Sequence, residues 1–209
     1  MPRGLFITLE GNEGCGKTTQ IKALYHYLKV SGVPVLLTRE PGGTRIGNAI
    51  RTVLLDGRNH KMTPVCETLL YMASRAQLAR EVILPALEKG QVVLCDRWVD
   101  ATVAYQGYGG GIDVRWIESL GKVASQGAKP DLTIFLDLPV AVGLRRAKSF
   151  KPADRIEQKK LSYHKKVRAG YLKIASREPK RFRSLKIKPS DTIWVVEEKV
   201  RQMIDHVLG

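Results

Sequence analysis

The stretch GNEGCGKT at residues 11–18 matches the pattern G-x-x-x-x-G-K-S/T and stands between the apolar, β-branched run LFITLE and the helical run TTQIKALYHYLK. That placement constrains the chain more than any other feature. Glycines let backbone N–H groups turn inward around a phosphate chain, and the following helix points its positive end at the same spot. A buried strand therefore has to stop where bare backbone approaches a triphosphate. Gly11, Asn12, Glu13, Gly14, Cys15, Gly16, Lys17, Thr18 and Thr19 are the candidate ATP-binding residues. Lys17 is the candidate for reaching the β- and γ-phosphates, and the Thr18 hydroxyl the candidate ligand for Mg²⁺. The plainer reading of the same residues is a glycine turn with an exposed lysine.

Four segments, 5–10, 33–40, 91–96 and 131–138, are apolar on both sides of the strand alternation, which predicts strands covered on both faces. Between them the pattern predicts helices at about 16–31, 64–88 and 113–125, the second capped by Thr63 with Pro64 in its first turn. A β-α-β-α series of this kind implies a parallel sheet with right-handed crossovers. The segment FRSLKIK, 182–188, reads as a fifth strand. Although TIWVV has strand character, Ile193, Val196, Val200, Met203 and Val207 recur at helical spacing, which predicts a closing helix.

A binding loop of this kind names the donor and leaves the reaction open. No N-K-x-D segment for reading guanine is present, so phosphoryl transfer to a small molecule leads. The run LCDRW ends the third strand with Asp96 and Arg97: a carboxylate suited to organising Mg²⁺ beside a guanidinium suited to clamping phosphates. TREPGGT closes the second strand with Arg39 and Glu40 before Pro41. Both lie at carboxyl ends of parallel strands, where open α/β sheets bind ligands. Either alone also reads as a structural acid–arginine pair.

The formal charge of +15 is concentrated: residues 145–188 hold 17 Lys and Arg against 3 Asp and Glu. Such a field draws polyanions, nucleotide or nucleic acid, while the lysines beyond 158 also read as a solvated helix face. The three cysteines are far apart with no C-x-x-C pair, which argues against a zinc site or disulfide framework; Cys66 and Cys95 read as core residues. No apolar run is long enough to cross a bilayer, and strand-like sequence begins at once after MPRG, so a cytoplasmic protein is expected.

Taken in order and spacing, EGNEGCGKTTQ, TREPGGT, YMASRAQ, DRWVDATVAYQGYG, KPDLTIFLDLP and DRIE resemble the bacterial thymidylate kinases, over nearly the whole chain from about residue 5 to 175. The resemblance implies a single domain, 1–209, with the three-layer P-loop NTPase fold: α/β, a five-stranded parallel sheet flanked by helices, and a basic lid segment at about 145–157. It implies ATP and dTMP as substrates, Mg²⁺ as cofactor held by Thr18 and Asp96, and a homodimer formed through helices beside the sheet. Tyr71 and Arg75, four apart on one helix, share a face and suit stacking on a base and donating to its carbonyl. Thr102, Tyr105 and Gln106 also share a face; by resemblance Tyr105 lies beneath the sugar, and Glu13 near the acceptor's 3′-hydroxyl and phosphate. With Arg39, Glu40, Pro41 and Arg97 these form the expected acceptor site. In the lid, Arg155 is the expected catalytic arginine beside Lys17, Arg97 and Asp96, and Arg146, assigned to ATP, Lys148 and Lys151 are helpers.

The chain departs from the family pattern at Trp98, Ala101, Gly110 and Phe150, which puts strict thymidylate preference in question. Two rivals stay open: a kinase with another or broader acceptor such as dUMP, and an ATP-switched protein that binds nucleic acid through the basic third. No base-stacking motif or recognition helix supports the second.

Overall fold

The computed structural model describes residues 3–149 and 154–208. Phe150, Lys151 and Pro152 lie outside the described residues. Five strands are found among those described: β1 (Phe6–Glu10), β2 (Val35–Arg39), β3 (Val92–Asp96), β4 (Leu132–Asp137) and β5 (Phe182–Lys186). All pair in parallel in the order β2-β3-β1-β4-β5. The strands alternate in sequence with helices: α1 (Lys17–Val30), α2 (Arg45–Leu55), α3 (Pro64–Leu78), α4 (Leu84–Glu88), α5 (Val99–Thr102), α6 (Val114–Ser125), α7 (Val140–Lys148), α8 (Leu161–Arg177) and α9 (Ile193–Leu208).

Side-chain alternation sorts the core into two faces. Ile7, Leu9, Val92, Leu94, Leu132, Ile134 and Leu136 pack with Ile21, Leu24 and Leu28 of α1 and Val196, Val200 and Ile204 of α9. Phe6, Val93, Cys95 and Phe135 point the other way, toward residues of α3, α6 and α8. The result is three layers, with β1 buried along its whole length because a strand lies on each side of it. β2 was expected to be covered on both faces; it is only half-buried because it forms the sheet edge. Cys95 is in the core, but Cys66 is exposed in the first turn of α3, where the helix faces solvent.

The closing segment is helical, with Val196, Val200 and Ile204 buried at four-residue spacing. The stretch expected as one helix at 64–88 is α3, a π-helical turn (Ala79–Ile83) and α4. Pro85 cannot donate a backbone hydrogen bond, and the wider turn directly before it absorbs that interruption. α2 was not anticipated; Thr44 starts it, its hydroxyl accepting from the Gly47 N–H at 2.9 Å.

Register brings the chemistry to one edge of the sheet. Asp96 lies opposite Leu9 of β1 on one side and Arg39 of β2 on the other. The loop after β1 then rests on α7 by close backbone contact: a Cβ on Gly143 would meet the Glu13 carbonyl oxygen at 2.3 Å, and one on Gly14 would meet the Gly143 oxygen at 2.0 Å. Alanine normally favours a helix over glycine by roughly 1 kcal/mol. Here Gly143→Ala is expected to destabilise instead, by about 1–3 kcal/mol, because one backbone must retreat from another. Urea unfolding checks this, and an unchanged or raised midpoint contradicts the contact.

Candidate active site

Gly11, Gly14 and Gly16 take positive φ values of 152°, 66° and 96°, the conformations for which side-chain-bearing residues are poorly suited. They curl the loop so that the Lys17 ammonium folds back and donates to the carbonyls of Gly11 and Asn12, each at 2.9 Å. Glu13, Gly14, Gly16, Lys17, Thr18 and Thr19 form one wall of a cavity of about 560 Å³. Gly11, Asn12 and Cys15 lie beneath that wall, buried.

Across the loop, the Thr18 hydroxyl donates to Asp96 Oδ2 at 3.3 Å, and both residues line the cavity. One hydroxyl and one carboxylate are a donor set that fits Mg²⁺, a cation that keeps waters and takes phosphate oxygens rather than a full protein cage. No cluster of three or more His, Cys, Asp or Glu suited to a metal occurs among the described residues.

The same cavity is lined by Arg39, Glu40, Pro41, Tyr71, Arg97, Ala101, Thr102, Tyr105 and Gln106, together with Arg51, which the sequence reading missed. Arg51 donates to the Pro41 carbonyl at 2.9 Å. Burial and the neighbouring Arg39 charge lower its pKa, so the protein has placed like charges together where an anion would relieve them. The only available signal for Arg51 was its position six residues into a helix that had not been identified. Thr102 ends α5, and Tyr105 and Gln106 sit on a π-helical turn (Val103–Gly109) that directs all three into the cavity.

Arg97 holds this wall together. It stands at φ 74°, a left-handed conformation that costs a non-glycine residue about 1–3 kcal/mol. Its Nη1 donates to the Tyr171 hydroxyl at 3.1 Å and its Nη2 to the Tyr105 hydroxyl at 3.0 Å. Glu13 and Glu10 lie 3.4 and 3.9 Å from the same guanidinium. Glu10 is fully buried, accepting from the Trp98 backbone N–H at 2.8 Å and the Tyr171 hydroxyl at 2.7 Å. Burial pushes its carboxyl up to about 8 despite the Arg97 charge. For Glu13 the balance reverses: burial raises the carboxyl, but His164, Arg97 and Lys17 outweigh it and bring it down to about 2.

Arg75 is not on the cavity wall. It is fully enclosed, with Nη2 donating to both Glu40 oxygens at 2.9 and 2.7 Å and to the Thr102 hydroxyl at 2.7 Å. The Trp98 ring lies 5.4 Å from its guanidinium carbon, within cation–π range. Trp98 thus acts on the site through Arg75, while Ala101 lies on the cavity wall itself.

The lid cations are placed elsewhere. Arg155 Nη2 lies 2.5 Å from Glu67 Oε2 of α3, and Nε donates to the Leu54 carbonyl of α2 at 2.8 Å. The structure therefore does not bring Arg155 to the phosphate-binding loop; a buried carboxylate and an open helix end capture it first. Arg146 donates to the Pro189 carbonyl at 3.0 Å and Lys148 is exposed, neither lining the cavity. Ala147, Asp154, Ile156 and Glu157 are the residues of this region that do.

Comparison with known proteins adds an independent line. The sequence profile of the thymidylate kinase family matches residues 9–200. The chain is 52% identical over 185 residues to a thymidylate kinase of Geotalea uraniireducens, covering 86% of this chain and 87% of that one. It is 47% identical over 180 residues to one of Thermoanaerobacter sp., covering 86% and 88%. Among solved structures, a thymidylate kinase from Ehrlichia chaffeensis superimposes with a TM-score of 0.79 at 32% identity, covering 98% and 99% of the two chains.

The Glu10 carboxyl supplies a test of the buried network. With its pKa raised from 4.5 to about 8, the folded protein keeps a proton that the unfolded chain releases, so stability falls as pH rises through that window. Glu10→Gln has no such proton to lose. The drop in melting temperature between pH 5 and 9 is expected to shrink by at least about 4 °C in the variant; parallel curves for the two proteins contradict the assignment.

Proposed function

Because the chain belongs to the thymidylate kinase family, we infer that it transfers the γ-phosphoryl group of ATP to dTMP, giving dTDP and ADP. The observation that carries this reading is one cavity whose walls bring together two anion-seeking sets of residues, the Lys17–Thr19 end of the loop and the arginines Arg39, Arg51 and Arg97. A phosphoryl donor and a phosphorylated acceptor fit such walls end to end.

The roles follow from position. The loop and Lys17 hold the β- and γ-phosphates, Lys17 exchanging its carbonyl contacts for phosphate oxygens. Arg39, Arg51 and Arg97 hold the acceptor phosphate, whose oxygen attacks the γ-phosphorus in line as the bond to the ADP oxygen breaks. Tyr71 stacks on the thymine, Thr102 and Gln106 line its pocket, and Tyr105 lies under the sugar. Arg75 braces this wall from behind through Glu40 and Thr102. Thr18 and Asp96 would hold Mg²⁺ through their oxygens, and the ion would supply neutralisation of the phosphate charge. Positioning and charge neutralisation account for the catalysis without a covalent enzyme intermediate.

Arg155 is not assigned the transition-state role expected of it, since its position supports a different one: pinning the lid segment to α2 and α3. The basic third spends much of its charge in the same way. Arg168 pairs with Asp137 at 2.6 Å, Arg177 with Glu118 at 2.5 Å, and Arg181 with Asp100 at 2.7 Å. These pairs favour docking of α8 and β5 to the body over nucleic-acid binding.

The chain acts as one domain in a homodimer. Supporting this, α2, α3 and α6 pack side by side and leave Ile46, Val53, Val65, Leu69 and Val123 exposed. No helix of the described residues is long and apolar enough to cross a membrane, which agrees with a cytoplasmic enzyme using free nucleotides.

Lys17→Ala is expected to cut turnover in a coupled ADP assay by at least about 100-fold while the fold survives; near-normal turnover refutes the loop assignment. A panel of monophosphates at fixed ATP is expected to favour dTMP over dUMP by about 10–200-fold in kcat/KM, the range one methyl group supplies. Equal use of both places the chain among broader nucleotide kinases.

A further inference from the structure

His164 has no place in the reading above, yet it is completely buried at the start of α8. Its ring Nδ1 lies 3.1 Å from Glu13 Oε2, and its backbone carbonyl accepts from Asn12 Nδ2 at 3.1 Å. Two successive residues of the phosphate-binding loop are therefore tied to one residue of a helix some 150 positions away. Glu13 Oε1 is occupied separately, by the Tyr105 hydroxyl at 2.6 Å and Arg97 at 3.4 Å. His164 is thus the partner within reach of the second oxygen.

We propose that His164 is a positioning residue that holds the Glu13 carboxylate in the acceptor cavity, so that its oxygen receives the 3′-hydroxyl of the incoming monophosphate. An ionised carboxylate is an acceptor only, so it recognises a hydroxyl in preference to a phosphate. The idea rests on the thymidylate kinase reading and on Glu13 lining the cavity. Neither ring nitrogen of His164 nor Glu13 Oε2 has an aligned hydrogen bond among the described residues, although the pair is within reach. Such contacts in ligand-free sites often align only when substrate binds. Leaving that oxygen unpaired in a buried site is costly, so removing the donor lets the carboxylate turn away.

The test pairs protein and substrate changes. His164→Phe keeps the ring and removes the donor; His164→Asn places an amide donor near the former Nδ1. With dTMP, kcat/KM is expected to fall by about 10-fold or more in His164→Phe and to recover largely in His164→Asn, with the KM for ATP unchanged. With 3′-deoxythymidine monophosphate the wild type and His164→Phe are expected to agree within about 2-fold, because the hydroxyl that Glu13 receives is gone. Equal losses on both acceptors, no loss on dTMP, a matching rise in the KM for ATP, or a wild type indifferent to the 3′-hydroxyl each overturn the proposal. A wild type that does not phosphorylate dTMP at all sinks the kinase reading instead. Should His164→Phe fail to fold, ¹⁵N spectra of histidine-labelled wild type decide the matter: a proton on Nδ1 of His164 supports the proposal, and a bare Nδ1 overturns it.

Discussion

Arg97 is the point at which the most distant parts of this fold meet, its guanidinium set beside the Glu13 carboxylate and two tyrosine hydroxyls at the edge of the cavity. Its left-handed backbone turns the side chain back from the end of β3 toward the loop that follows β1, where Glu10 and Glu13 flank it. Tyr105 from the π-helical turn and Tyr171 from α8 complete its surroundings. One charge therefore joins two central strands, the phosphate-binding loop, the acceptor wall and the basic helix. A hydrogen bond to a charged group contributes about 1.5–3 kcal/mol, so these contacts tie the elements together at the cavity edge.

Another buried carboxylate plays a comparable part behind Gln106 of the cavity wall. Glu67 on α3 meets Arg155 at 2.5 Å and Lys159 at 3.5 Å, and accepts from Gln106 Nε2 at 2.7 Å. The chain following the lid is thereby connected to a side chain that lines the acceptor pocket. The basic third is better understood as a segment fastened to the body by its arginines than as a free cationic surface. Its exposed lysines, such as Lys165 and Lys166, are left on the outer face of α8.

Much of this was legible in the sequence because it depended on local pattern. The apolar runs of β1, β3 and β4, the glycine loop and the residues at the strand ends all carry their signal within a few positions. What escaped depended on contacts distant in the chain. Arg75 reads as a donor to the base until Glu40, 35 residues earlier, is found to hold it inside. Arg155 reads as a free cation until Glu67 captures it. His164 is hidden among lysines, with nothing nearby to say that its ring reaches Glu13. α2 does carry apolar spacing at Ile46, Ile50, Val53 and Leu54 behind Thr44, which the sequence reading did not take up, although only Gly47 and Leu54 end up buried.

The central claim is that two anion-binding sets of residues, one on the loop and one of arginines, share a single cavity. The most direct measurement is calorimetry with a dinucleoside pentaphosphate carrying adenosine at one end and thymidine at the other, in the presence of Mg²⁺. One molecule per chain, bound about 10²–10⁴-fold more tightly than ATP and displacing both ATP and dTMP, is the expected result. Binding no tighter than ATP, with dTMP still able to occupy its own site, would contradict the account.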